Sequence, residues 1–423
     1  MKRRHFIQAV STAAFASMMS SVVAAPKARP KVVVIGAGYG GATAARYLRM
    51  WSEGAIDVTL VEPNPAFVSC PLSNLVLGGS RQLSDITIGY GPLTQRHGIQ
   101  LIRDRAESIE PEKRLVRLAG GQTLGYDRLI MSPGVDFVWT ALPGMMRADA
   151  RETILHAWKA GEQTVALRRQ LEAMSNGDNF VMSIPPQPYR CPPGPYERAC
   201  QVAYYFSQEK PKCRVILLDA NEDVVSKGAL FKKVWAERYG DLIEYRASFR
   251  TADVDAKTGT VISELGEEVE GKVLNVIPPQ QAARIAVQTG LANANRRWCE
   301  VDFLTFESTG APHIHVLGDA IQVAPLMPKS AHMANQHAKI CAAAIIDLFS
   351  DRTPEPKPML TNTCYSYVSN KEVIHVTSVH AYDAQKKTLL SVPGAGGVST
   401  APSELEGRYA AEWALNIWAD TLA

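Results

Sequence analysis

The 423-residue sequence is defined first by what it lacks. Beyond its opening segment no run approaches the roughly 20 apolar residues of a membrane-spanning helix, so no membrane span is expected. No CxxCH occurs, so the chain carries no c-type haem of its own. No repeat or low-complexity tract interrupts it, and no cluster of metal-ligand spacing is assigned. Neither sign of charge dominates: 45 Lys and Arg stand against 42 Asp and Glu. The excess is matched by Lys2, Arg3 and Arg4 alone, and a balanced body leaves nucleic acid no electrostatic footprint. What remains, 46% hydrophobic and 21% charged, is a globular composition, and the length calls for two or three domains.

The opening, MKRRHFIQAVSTAAFASMMSSVVAAPKA, has a basic start, an Ala/Ser-rich apolar stretch and small residues near Val22 and Ala24. The Arg3-Arg4 pair followed by His5-Phe6 predicts a twin-arginine-type signal over residues 1–28. Such a chain folds around its cofactor before export. Its expected home is the periplasm, where disulfides persist.

KVVVIGAGYGGATAARYL reads as a buried strand, a glycine turn and a helix. Gly36, Gly38 and Gly41 have the GxGxxG spacing that permits the tight turn, the close approach to a pyrophosphate and the packing of helix on strand. A second strand, DVTLVEP, ends in Glu62, suited to accept hydrogen bonds from an adenosine ribose. NAD and FAD share this turn. HIHVLGDAI, ending a strand in Gly318-Asp319, and YDRLIMSPG resemble the remaining FAD segments of enzymes like glutathione reductase. FAD is therefore the expected cofactor.

Enzymes of that type insert a second nucleotide unit with its own glycine turn. Here the corresponding strand, NFVMSI, runs into PPQPYRCPPGPYE, with six prolines and one glycine, Gly194. Proline has no N–H and a fixed φ, so this loop cannot surround a pyrophosphate with amides. A nicotinamide partner is not expected. The rigid loop instead holds Cys191 in a definite place.

Of the seven cysteines, Cys213 opens the strand-like CRVILLD, and Cys200 and Cys341 lie on helical patterns, so all three read as core. Cys299 precedes a strand-like VDFLTF and has no assigned role. Cys70 follows the ribose acid, and Cys364 lies in TNTCYSYV. The sequence does not give their connectivity.

The whole chain after the leader resembles the flavoprotein subunit of flavocytochrome c sulfide dehydrogenase. The likeness is carried by VVVIGAGYGGATAARYL, CPLSNLVLGG, HAWKAGEQTVALRRQLE, RCPPGPYERA, VIPPQQA, FLTFES, HVLGDA, MPKSAHMANQHAK and NTCYS. The resemblance implies FAD joined to Cys70 by an 8α thioether, a redox-active Cys191–Cys364 disulfide beside the flavin ring, and Glu197 as the acid or base. It also implies a separate c-type cytochrome subunit as electron acceptor. Sulfide attack on the disulfide yields a persulfide and a thiolate, and the sequence leaves open which cysteine takes the sulfur. Lys329 and the start of the helix near Ser330 favour the reduced flavin's negative charge.

Two other readings share these residues: a sulfide:quinone oxidoreductase, and an FAD-loaded redox partner acting on sulfur-carrier disulfides. The charged C-terminus, with Glu404, Glu406, Arg408, Glu412 and Asp420, speaks against a quinone-seeking membrane edge. Trp413 and Trp418 on an amphipathic pattern offer an interface, although packing on the chain's own body is the first use for them. The expected architecture is two Rossmann-like α/β domains of the glutathione reductase type plus a C-terminal α+β domain. FAD segments span 29–145 and 275–350, a degenerate nucleotide domain 146–274, and the C-terminal domain 351–423.

Overall fold

The computed structural model describes residues 28–423. Apart from Ala28, the predicted leader lies outside the described residues.

The strand β1 (Lys31–Ile35) is buried from Val32 onward, the near-continuous β-branched run of a central parallel strand. It feeds α1 (Tyr39–Trp51) and then β2 (Asp57–Val61). These lie in a five-stranded parallel sheet ordered Ile314–Val316, Arg128–Met131, β1, β2, Gln100–Ile102. Because β1 is central, its following turn opens where the strand order reverses, the crevice in which such sheets bind ligands.

A second parallel sheet repeats the plan: Ile243–Arg246, Arg214–Asp219, β3 (Asn179–Ile184) and Val273–Val276. β3 is again central, and α2 (Gly194–Glu209) takes the place that α1 has in the first unit. Each unit carries a three-stranded antiparallel meander, built from Ala106–Glu110, Leu115–Leu118 and Thr123–Gly125 in one and from Thr251–Asp255, Thr260–Ser263 and Glu268–Glu270 in the other. The chain crosses between units twice, and the two crossings pair as an antiparallel ribbon, Val135–Phe137 with Gln280–Ala282.

The helix α3 (Ala331–Phe349) lies along α1 and is capped by Ser330, whose Oγ accepts from the Met333 N–H at 3.1 Å. Beyond it, β4 (Met359–Tyr367) and β5 (Val373–Asp383) form an antiparallel sheet with Thr388–Ser391 and Gly397–Val398. The last helix, α4 (Glu404–Leu422), buries Ala410, Ala414, Ile417, Trp418 and Leu422. Asp420 ties it down through Tyr47, Arg46, Lys339 and Asn335. Trp418 is buried with its Nε1 donating to Tyr39 Oη at 3.0 Å, and Trp413 packs on His332 and Tyr365. Both tryptophans therefore serve the chain's own packing. The architecture is the expected mixed α/β fold of two Rossmann-like units and a C-terminal α+β layer.

One local expectation differs. VDFLTF makes no strand: Val301 forms an isolated bridge with Ser308 and the chain turns between them. Asp302 drives the turn, its carboxylate accepting from the Leu304 N–H at 3.0 Å and its carbonyl from the Phe306 N–H at 2.6 Å.

Candidate functional site

The glycine turn after β1 has the steric logic of a phosphate cradle. Gly36 has φ +89°, and a Cβ there would lie 2.5 Å from the Ser132 carbonyl oxygen. A Cβ at Gly41 would lie 1.8 Å from the Gly36 oxygen, so helix and turn touch only because Gly41 has no side chain. Gly38 faces open space, where a Cβ meets nothing within 4 Å. Glu62 is buried at the end of β2, with one carboxylate oxygen accepting from the Ala37 N–H at 2.8 Å and the other from Asn64 at 2.9 and 2.6 Å.

Across the crevice, Gly318 and Asp319 follow the outer strand in a single turn of tight helix. Asp319 Oδ1 is buried with no hydrogen-bond partner, and burial pushes its carboxyl up against the opposing pull of Arg190 and Lys329. Nearby buried polar atoms without partners are Arg190 Nε, Gln280 Nε2, Trp298 Nε1 and Gln322 Oε1. They belong to one neighbourhood: the Arg190 N–H donates to Gln280 at 2.9 Å, and Lys329 Nζ stands 3.6 Å over the Trp298 ring. Buried polar groups require partners, and a cluster of both donors and acceptors fits a large polar heterocycle. With the glycine cradle and Glu62, the residues present fit FAD.

Lys329 is placed otherwise than at a free anion site. Its Nζ donates to the carbonyls of Asp319 at 2.9 Å and Ile321 at 2.5 Å, so it braces the Gly318-Asp319 turn. Burial holds its pKa down at about 7, with Asp319 pulling the other way.

In the second unit the proline loop replaces the cradle. Cys191 has φ +57°, a left-handed conformation uncommon outside glycine. The Cys191 N–H donates to the Lys329 carbonyl at 2.8 Å, and the Cys191 carbonyl accepts from the Gly194 N–H at 2.8 Å. Gly194 is required: a Cβ there would lie 2.8 Å from the Trp158 ring and 3.0 Å from Cys191 Sγ. These bonds aim Cys191 at the first unit.

The cysteines divide cleanly. Cys200, Cys213, Cys299 and Cys341 are buried, whereas Cys70, Cys191 and Cys364 are partly accessible. Cys200 accepts from Trp235 Nε1 at 3.3 Å, and Cys213 donates to the Ser175 carbonyl at 3.1 Å, as packed thiols do. Cys191 and Cys364 share one space: burial, then the charges of Cys364 and Glu197, push the Cys191 thiol up. Cys364 is also raised by burial, but Lys227 and a hydrogen bond from Asn362 pull it back. Cys70 and Asp319 both act on the buried Arg190. The charges of Cys70 and Asp319 more than offset the effect of burial on Arg190, whose pKa is raised.

Glu197 knits the three regions together. Its Oε1 accepts from the Tyr367 N–H on β4 at 2.8 Å, and its Oε2 from Asn74 at 2.8 Å on the short helix Ser73–Gly78 that follows Cys70. Burial pushes its carboxyl up despite these donors. The chain's spacing gave no sign of several residues here. Asn74 and the buried Arg198, which bonds Asn74, His156, Ala157 and Asn275, were visible only as unexplained letters inside CPLSN and PYERA. Lys227 and Arg190 had no local signal at all, since their roles depend on what folds against them.

Comparison with known proteins gives this arrangement relatives. A family model described as the central part of the sulfide dehydrogenase (flavocytochrome c) flavoprotein chain matches residues 164–278, and one described as flavocytochrome c sulphide dehydrogenase, flavin-binding, matches 356–422. A pyridine nucleotide-disulphide oxidoreductase model matches 30–175. The chain is 59% identical over 46 residues to the sulfide dehydrogenase (flavocytochrome c) flavoprotein chain of Chlorobaculum thiosulfatiphilum, spanning 11% of this chain and 94% of that sequence. It is 24% identical over 335 residues to the mitochondrial sulfide:quinone oxidoreductase of Mus musculus, covering 72% of this chain and 68% of the other. The solved sulfide:quinone oxidoreductase of Aquifex aeolicus shares the fold, with a TM-score of 0.75, 19% identity and coverage of 93% and 91%. A nucleotide cradle facing a proline-held cysteine, together with these matches, identifies the chain as a member of the flavocytochrome c sulfide dehydrogenase flavoprotein family.

Proposed function

We propose that the chain is the flavoprotein subunit of a periplasmic sulfide dehydrogenase, oxidising sulfide at a Cys191–Cys364 disulfide and passing electrons singly to a c-type cytochrome subunit. The observation that carries this reading is the proline loop. Where a nicotinamide enzyme has a second phosphate cradle, this chain sets Cys191 within the electrostatic reach of Cys364, Glu197 and Cys70.

Gly36, Gly38, Gly41 and Glu62 hold the adenosine and pyrophosphate end of FAD, Gly318 and Asp319 its ribityl side, and Cys70 its covalent link. Bound there, FAD supplies a two-electron acceptor that releases electrons one at a time. The chain's own residues do the sulfur chemistry. The disulfide offers an electrophilic sulfur; attack by hydrosulfide makes a persulfide and frees a thiolate, a second hydrosulfide removes the outer sulfur as polysulfide and leaves the other cysteine as thiolate, and the disulfide re-forms as the thiolate pair gives up two electrons to the bound flavin. Glu197, kept protonated to higher pH by burial, is placed to move a proton at the freed thiolate. Lys329 braces the Gly318-Asp319 turn through the Asp319 and Ile321 carbonyls.

The likeness to sulfide:quinone oxidoreductases raises quinone as the alternative acceptor. Against it stands α4, which packs Ala410, Ala414, Ile417, Trp418 and Leu422 on the chain's own body and whose exposed face mixes Leu405, Tyr409 and Leu415 with Glu404, Arg408, Glu412 and Asn416. No helix among the described residues is long and apolar enough to cross a membrane. The twin-arginine pair of the leader supports export and a periplasmic cytochrome.

Anaerobic titration with sulfide, followed by visible spectroscopy, tests the reading. Sulfide is expected to bleach the flavin of the wild type and leave that of Cys191→Ser oxidised. A wild-type flavin that dithionite reduces and sulfide does not would exclude sulfide as the donor and turn attention to carrier disulfides.

A further inference from the structure

Lys227 sits in the turn before the helix Gly228–Arg238, in the left-handed conformation at φ 57°. Its side chain leaves the second unit and enters the C-terminal sheet. There Nζ donates to the Cys364 carbonyl at 3.0 Å, to Ser366 Oγ at 2.7 Å and to the Ile374 carbonyl at 3.3 Å. An ammonium has three N–H donors, so all are used and the charge is fixed in place. No carboxylate among the described residues pairs with it within salt-bridge distance. Burial holds its pKa down at about 8, while the charges of Cys364, Glu197, Cys191 and Glu406 pull it up.

The two sulfurs therefore have unlike surroundings. Cys364 Sγ has the Lys227 charge behind it and an amide donor, Asn362 Nδ2, at 3.5 Å. Asn362 is itself oriented by Ser330 Oγ, which donates to its oxygen at 2.7 Å. Glu197 opposes an anion at either sulfur, but only at Cys364 do a buried ammonium and an amide donor stand against it. The cation on the Cys191 side, Arg190, is shared with Cys70 and Asp319. In thiol–disulfide exchange the sulfur that forms the more stable thiolate is the better leaving group.

We propose that Lys227 sets the direction in which the disulfide opens, so that sulfide attacks Cys191 and Cys364 leaves as the thiolate. The step balances within the site. A bond forms between the hydrosulfide sulfur and Cys191 Sγ as the Cys191–Cys364 bond breaks. Its electron pair stays on Cys364 Sγ, and the hydrosulfide proton stays on the outer sulfur. Sulfide is oxidised to the outer sulfur of a Cys191 persulfide, and Cys364 is reduced to a thiolate. Lys227 is a positioning residue in this step: it fixes the main chain of Cys364 and holds its charge close enough to favour a thiolate at that residue. The inference rests on the disulfide reading above.

The test uses FAD-loaded full-length protein. After one equivalent of sulfide under anaerobic conditions, an alkylating trap and peptide mass mapping locate the added sulfur, expected on the Cys191 peptide. Sulfur on the Cys364 peptide would overturn the direction and leave the disulfide reading intact. Bleaching with no added sulfur on either peptide would overturn both. In reduced protein, the pH midpoint of Cys364 alkylation is expected to rise by about one unit or more in Lys227→Met, with Lys227→Arg near wild type. An unmoved midpoint in Lys227→Met overturns the role of the charge. If that variant does not fold, sulfur mapping in the wild type still decides the direction.

Discussion

The backbone N–H of Cys191 donates to the carbonyl of Lys329 at 2.8 Å, while the Lys329 ammonium donates to the carbonyl of Asp319 at 2.9 Å. One residue thus grips the sulfur loop with its main chain and the flavin-side turn with its side chain. The two halves of the site share a wall, and its position is set by hydrogen bonds with little slack. Four expectations follow from that construction.

Gly38 is the open point of the cradle, where a Cβ meets nothing in the protein. Gly38→Ala is expected to fold with an unchanged far-ultraviolet spectrum and to bind less FAD, because the added methyl stands where the pyrophosphate approaches. The measurement is the flavin-to-protein ratio after purification. Gly41→Ala, with its Cβ 1.8 Å from a backbone oxygen, is expected to lose soluble protein as well as flavin.

If Cys70 carries the thioether, denatured wild-type protein retains flavin fluorescence on an acidified gel. Cys70→Ser releases all of it into solution. Release from both proteins would exclude the covalent link without touching FAD binding.

Glu197 has a carboxyl raised by burial, so the native state holds its proton more tightly than the unfolded chain does. Its contribution to stability is full below the ordinary carboxylate pKa and is lost as pH rises through the raised native value. Glu197→Gln removes that slope. The difference in melting temperature between variant and wild type is expected to shift in the variant's favour as pH rises from about 4 towards neutrality. Turnover with sulfide is expected to fall by roughly 10²-fold, the usual weight of a positioned acid or base.

Arg198 is buried and makes four hydrogen bonds to Asn74, His156, Ala157 and Asn275. Arg198→Leu removes the donor to the Asn74, Ala157 and Asn275 oxygens in the interior, the His156 carbonyl keeping Asn275 Nδ2 at 3.0 Å, at a cost of about 3 kcal/mol. Chemical denaturation measures it. The same variant frees Asn74 and loosens its hold on Glu197, so a fall in activity is expected to accompany the lost stability.

The cradle, Glu62, the Gly318-Asp319 turn and the proline loop were legible in the sequence because each is a local device. Glycine spacing, strand patterning and the missing N–H of proline act within a few residues, and the chain shows them wherever it folds. The strand Lys31–Ile35 and the strand Asn179–Ile184 were likewise readable from their apolar runs. VDFLTF misled because its alternation resembles a strand while Asp302 closes a turn within it. Which partner a buried lysine finds is a different kind of fact. Lys227 and Cys364 are 137 positions apart, and their contact exists only because the C-terminal sheet folds back over the second unit. The sequence by itself determined the kinds of site this protein contains. The tertiary structure decided which charge stands behind which sulfur, because electrostatic and hydrogen-bond partners are set by distance in space and not by distance along the chain.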